Sequence, residues 1–420
     1  MVTRVEKNRF WELEGLRGIA AVMVVLQHYL LAFYSLAFFG KESGYASIQN
    51  MRFEDNLYGN PLSVLASGSF AVSIFFVLSG FVLSIGFFQT GKLDIIKKLA
   101  AKRYLRLMLP ALASVLLALI LIVCGLSYAY EAGSITGSSW LMSAWNVPPD
   151  FFGAVKSGVF DIFTKSSGDY NSVLWTMTYE FLGSFLVFGF LALFSKSKFR
   201  PLLYIFLLIA TFNTWFIAFV IGMIFADMYA KGLMKQKKRS MLLVVPLVLS
   251  ALFLGGYPLY GVAGTVYQNI GFSGLGINWQ LISVITGASL AVGLVLSVSQ
   301  IARIFANKYI SKLGKYTFSL YLTHLLVLYT FTSGVFILLD RQLGVGFNKS
   351  ALISIVLSIP VMWLVTFLFE KYVDSNSMKV SSYVGGMILG TTKTPKLNKF
   401  LKKVSKRMKR LLRKKVVNNV

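Results

Sequence analysis

Apolar stretches, most of them near twenty residues long, recur along almost all of this chain. They fall at 13–36, 64–88, 105–124, 174–195, 201–212, 214–230, 241–257, 281–300, 317–338 and 351–370. A helix of about twenty residues crosses the ~30 Å hydrocarbon layer with its backbone groups bonded internally, whereas a closed barrel shows short alternating segments. The pattern predicts an all-α, polytopic helical membrane protein of about ten transmembrane helices. Only 14% of the residues are charged, against about 25% in soluble domains. The first stretch follows a basic start, as a signal peptide would. It is too long, carries Arg17 and His28 and lacks a small-residue cleavage site, so it reads as a retained span. The least secure pair is 201–230, where two crossings share thirty residues and tilted or half-buried helices are expected.

A net charge of +26 raises the question of nucleic acid, which the placement of the charges decides. With both termini cytoplasmic, 36 of the 42 Lys and Arg fall on the inner side, and only Lys41, Arg52, Lys156, Lys165, Arg341 and Lys349 lie outside. That is the positive-inside distribution of a multi-pass protein of the cell (inner) membrane, and no nucleic-acid partner is expected. The chain divides into a membrane domain, 1–372, and a basic cytoplasmic tail, 373–420. Within the tail, about 393–415 places Leu397, Leu401, Val404, Met408 and Leu411 at helical spacing among basic residues. Such a helix suits an anionic lipid surface; a solvated tail, or one that binds RNA or protein, remains open. Two outer loops stand out. The long 125–173 segment, rich in Gly, Ser and aromatics, reads as a folded cap, and 258–280, uncharged, as an interfacial loop or one that dips back into the membrane. A single cysteine, Cys124, excludes a disulfide framework and a multi-cysteine metal site, and its apolar setting suggests packing.

Few ionisable residues interrupt the apolar runs, and each is costly there. Arg17 and His28, eleven residues apart, share one face of the first helix, roughly 16 Å apart along its axis. Arg17 either serves a site or snorkels to lipid phosphate, and His28 either does chemistry or makes an interhelical hydrogen bond. Gly15 and Gly18 beside Arg17, and Ser79 with Gly80 on the second helix, permit close helix approach. Arg103 and Arg106 share a face at the threshold of the third helix, in a geometry able to clamp phosphates. Glu180, on the fourth helix, lies at a depth where it is able to meet His28; the bland alternative is a protonated carboxyl bonded to a Tyr or Ser. Tyr321 and His324 share a face of the ninth helix, nearer the cytoplasmic side. Glu370 is expected to pair with a basic loop residue.

Together these motifs resemble the acyltransferase-3 family of integral-membrane acyltransferases. The resemblance rests on Arg17-x10-His28 with its LEGLRG lead-in, FFVLSGFVLS at 75–84, Arg103-x-x-Arg106, Trp175 with Glu180, Tyr321-x-x-His324, and Glu370. Two departures stand out: Glu14 replaces the family's common Asp, and Lys371-Tyr372 follows Glu370 where Arg-Pro is frequent. A short basic tail stands where many members carry a hydrolase-like domain, so the resemblance leads to the expectation of a stand-alone member. The resemblance implies transfer of an acetyl or succinyl group from cytoplasmic acyl-CoA, with no metal, to a hydroxyl of a cell-surface carbohydrate or similar acceptor. In that reading His28 is the general base, Glu180 orients it, Arg17, Arg103 and Arg106 bind CoA phosphates, and His324 contacts the thioester or pantetheine. The rival readings are a transporter using Arg17, Glu180 and the histidines as an ion relay, and a non-catalytic scaffold.

Overall fold

The computed structural model describes residues 10–40, 52–166, 168–271 and 276–391. The amphipathic helix expected near 393–415 and the N-terminal basic residues lie outside them. The main helices are α1 (Trp11–Phe33), α2 (Gly68–Thr90), α3 (Leu93–Val123), α4 (Thr176–Phe194), α5 (Arg200–Ala210), α6 (Phe216–Ala230), α7 (Met241–Gly255), α8 (Trp279–Ser297), α9 (Lys308–Val327), α10 (Phe347–Phe369) and α11 (Ser375–Ile388). Among the described residues no strand forms beyond an isolated bridge, Lys237 to Val298. Among the described residues seven helical stretches are long and apolar enough to cross a membrane, and α5, α6 and α7 are shorter apolar helices at three of the expected crossings. The chain is therefore an all-α polytopic membrane protein.

Three helices outrun their apolar runs, and the excess is polar. α3 starts at Leu93, so Lys102, Arg103 and Arg106 sit within the helix rather than on a preceding loop. α9 starts at Lys308, which sets His324 about 24 Å into it rather than near its start. Beyond α10 the helix continues through a π-turn at Glu370–Asp374 into α11, which lies along α3, so the chain near 372 is marked by no helix end. The wider π-turn puts Glu370 and Asp374 both inward, buried at 4% exposure.

Glycines set the closest crossings. A Cβ on Gly18 would lie 2.6 Å from the Leu313 Cβ, and one on Gly314 2.4 Å from the Glu14 carbonyl oxygen, so α1 and α9 touch backbone to backbone. A Cβ on Gly80 would meet the Phe219 carbonyl at 2.1 Å, which explains the Ser-Gly of the second span as the seat of α6. The short pair α5–α6 is tied by a buried ion cluster. Arg200 grips both oxygens of Asp227, at 3.1 and 2.9 Å, and Tyr204 and Lys231 bond the same carboxylate.

The 125–173 segment folds into short helices over one end of the bundle, anchored where the Ser138 hydroxyl donates to the Leu31 carbonyl at the end of α1. The 258–280 loop is held by Tyr267, fully buried, whose hydroxyl donates to the Phe253 carbonyl at 2.8 Å. Cys124 does not pack as expected: it caps α3 and is exposed.

Candidate active site

The close α1–α9 crossing brings together the only two histidines of the chain. His324 Nε2 lies 3.2 Å from His28 Nδ1, and the rings are 4.9 Å apart. Each Nδ1 also faces the carbonyl one turn back on its own helix, Val24 for His28 at 2.7 Å and Leu320 for His324 at 2.9 Å. A carbonyl oxygen only accepts, so in the neutral rings both Nδ1 atoms carry the proton. His28 Nδ1–H then also points at the lone pair of His324 Nε2. What remains is His28 Nε2, an unprotonated ring nitrogen. His324 is 1% exposed and His28 partly exposed, so the accessible base belongs to His28.

Over the pair lies Trp140 from the cap, its ring 5.3 Å from that of His28. Trp140 and Trp145 both pack on Tyr329, and Trp145 Nε1–H donates to the Tyr170 carbonyl at 2.7 Å. The sequence marks this segment as aromatic-rich but does not point to Trp140, because that proximity comes only from the fold of the cap.

On the other side a cavity of about 230 Å³ runs from Arg17 and Arg106, past Arg103 and Glu180, to Thr176 and Tyr321. Its walls are mostly apolar, from α2, α3, α4 and α9, and include Phe75, Phe76 and Met177. Neither histidine lines it; Tyr321 stands between, its ring 6.2 Å from that of His324.

The arginines are engaged. Arg103 Nη2–H donates to Glu180 Oε1, Nε–H donates to Ser184 Oγ at 2.7 Å, and the Ser79 hydroxyl donates to the same Glu180 oxygen at 2.6 Å. Arg106 Nη1–H donates to Asp374, and its guanidinium lies over the Phe318 ring. Arg17 alone is loosely held, 3.7 Å from Glu14 with its side chain 36% exposed. Glu370 pairs with Lys315 at 3.3 Å, as the sequence suggests.

Three expectations are corrected. Among the described contacts Glu180 bonds Ser79 and Arg103 and makes none to His28. α4 begins deep in the bundle, its first residue Thr176 bonded to Tyr321 at 2.9 Å, so Glu180 falls on the Arg17 side of Tyr321, against Arg103. His324, expected nearer the cytoplasmic side and against the donor, lies beside His28 and does not line the cavity. Arg103 and Arg106 are not a free clamp, since the carboxylates of Glu180 and Asp374 already hold them.

A family model described as an acyltransferase domain matches residues 10–370, a span that contains both histidines and the whole cavity. The O-acetyltransferase PaAT-1 of Phomopsis amygdali is similar, 24% identical over 91% of this chain and 86% of its own length. No solved structure matches the chain. The chain belongs to the acyltransferase-3 family and is a membrane O-acyltransferase.

Proposed function

We propose that the chain takes a short acyl group from acyl-CoA on the cytoplasmic side of a cell membrane and passes it to a hydroxyl of a cell-surface carbohydrate or similar acceptor, with His28 as general base. The observation that carries this reading is the pair of compartments meeting at one ring. A cavity with arginines at its mouth lies on one side of Tyr321, and an accessible imidazole nitrogen under an aromatic cap lies on the other. Positive-inside charge puts the Arg17 end in the cytoplasm, where CoA phosphates meet the loosely paired Arg17 first. Arg103 and Arg106 keep unused N–H donors while serving mainly to hold the cavity's shape and potential. The apolar walls suit a pantetheine arm and an acetyl group. Succinyl would need a cation beside its free carboxylate, and the name of the relative also favours acetyl.

His28 Nε2 takes the proton of the acceptor hydroxyl as its oxygen bonds to the thioester carbonyl carbon. The C–S bond then breaks, and the leaving thiolate takes the proton back from Nε2. His324 Nε2 accepts the His28 Nδ1–H bond and so orients the ring and eases its transient positive charge.

The test compares surface glycans by mass spectrometry from cells with the gene, without it, and with His28→Ala. An acetyl-sized increment present only with the intact gene supports the reading, and a succinyl-sized one changes the donor. Removing a general base lowers such rates by about 10²- to 10⁴-fold. Full transfer by a correctly inserted His28→Ala protein excludes His28 as the base.

A further inference from the structure

We infer that Tyr321 is a specificity-determining residue, a wall whose bulk narrows the way from the donor cavity to His28 and so limits the attack of water on the thioester. The inference rests on the donor reading above. The cavity includes Tyr321 and Thr176 but neither histidine, and on α9 His324 follows Tyr321 by one turn, about 4.5 Å further along the axis. Tyr321 is 7% exposed, and its ring packs against two others: Phe75, which also lines the cavity, edge-on at 6.2 Å, and His324, which does not line it, also at 6.2 Å. Its hydroxyl is fixed as well, donating to the Val173 carbonyl at 2.9 Å and lying 2.9 Å from the Thr176 hydroxyl, which itself reaches the same carbonyl at 3.0 Å. Both hydroxyl protons are thus spent on α4 and the turn before it, and none is aimed into the cavity. The ring therefore acts by bulk.

The consequence is chemical. Once a thioester sits within reach of His28, water and an alcohol compete for the same base. Attack by water forms a carbon–oxygen bond, breaks C–S and yields a free carboxylic acid and the CoA thiol, so the donor is spent without acceptor. A wall that narrows the way between donor and base suppresses that loss.

The experiment uses the full chain in lipid nanodiscs with acetyl-CoA as the probe and no acceptor, and follows free CoA by chromatography. A thiol dye is unsuitable here because Cys124 is exposed. Tyr321→Ala is expected to raise acceptor-free hydrolysis about tenfold, roughly 1.4 kcal/mol of barrier. Tyr321→Phe stays near the parent rate, Tyr321→Leu rises less, and His28→Ala added to Tyr321→Ala abolishes the gain. Tyr321→Leu, with its smaller loss of volume, also carries the test if Tyr321→Ala does not fold. No rise in folded variants that bind acetyl-CoA overturns the inference, as does an equal rise in Tyr321→Phe, which would assign the effect to the hydroxyl. A parent protein that binds no acetyl-CoA instead defeats the donor reading. The wall is then tested without a donor, by reacting His28→Cys, in a Cys124→Ser background, with a small methanethiosulfonate. Faster labelling with Tyr321→Ala, and not with Tyr321→Phe, supports the wall; equal labelling in all three overturns it.

Discussion

Between Arg17 and Tyr321 each arginine has a carboxylate: Glu14 for Arg17, Glu180 for Arg103 and Asp374 for Arg106. One turn past Tyr321 the contacts change in kind. The two histidines meet each other, two backbone carbonyls and the rings of Trp140 and Tyr321. Burying a charge is costly unless it is paired, so the first region uses its charges for architecture and gives up most of their freedom to do chemistry. The second uses neutral groups, whose burial is cheap, and keeps one nitrogen available. On the proposed reading, the difference separates residues that shape the path from those that act on the bond.

The largest effect that separates the two regions is on stability. Removing one partner of a buried pair leaves an uncompensated charge, at a cost of about 3–5 kcal/mol. Arg103→Met or Glu180→Leu alone should therefore unfold the detergent-solubilised protein well below the parent temperature, while the double variant recovers much of the loss. Thermal unfolding of all four proteins measures the coupling. If Glu180→Leu folds as well as the parent yet loses transfer, Glu180 belongs with the chemistry and the division between the regions fails.

Next in size is His324. As a positioning residue it should affect turnover and not donor binding: His324→Leu lowers kcat about tenfold, roughly 1.4 kcal/mol, with the acetyl-CoA KM unchanged. His324→Gln, which retains an acceptor for His28 Nδ1–H, recovers part of the rate. A rise in donor KM instead would return His324 to the donor side of the wall.

The helical class was legible because apolar runs and their flanking charges are local properties, and the small residues at Gly18 and Gly80 mark real crossings. The resemblance also named both histidines. Their pairing was not legible. Apolar runs give depth only from where they begin, and α3, α9 and α10 all extend beyond theirs on polar residues that pair with one another, as Arg106 and Asp374 do. Hydropathy does not register a polar residue that is paired, and so it gives no sign that Glu180 meets Arg103. Trp140 was not legible either, because a cap with no periodic pattern gives no distance to the helix that it covers.

The smallest effect tests what the cap contributes. Trp140 is partly exposed and tilted 37° to the His28 ring, and so offers the acceptor a flat apolar face beside the base. Stacking on such a face is worth about 1 kcal/mol, so Trp140→Ala should raise the acceptor KM about fivefold and Trp140→Phe much less. Donor KM should not change, since the ring lies across Tyr321 from the cavity. Acceptor-free hydrolysis should stay at the parent level, because the wall is intact. A change confined to kcat would mean that Trp140 only braces His28, and the outer region would then hold the base without selecting what the base acts on.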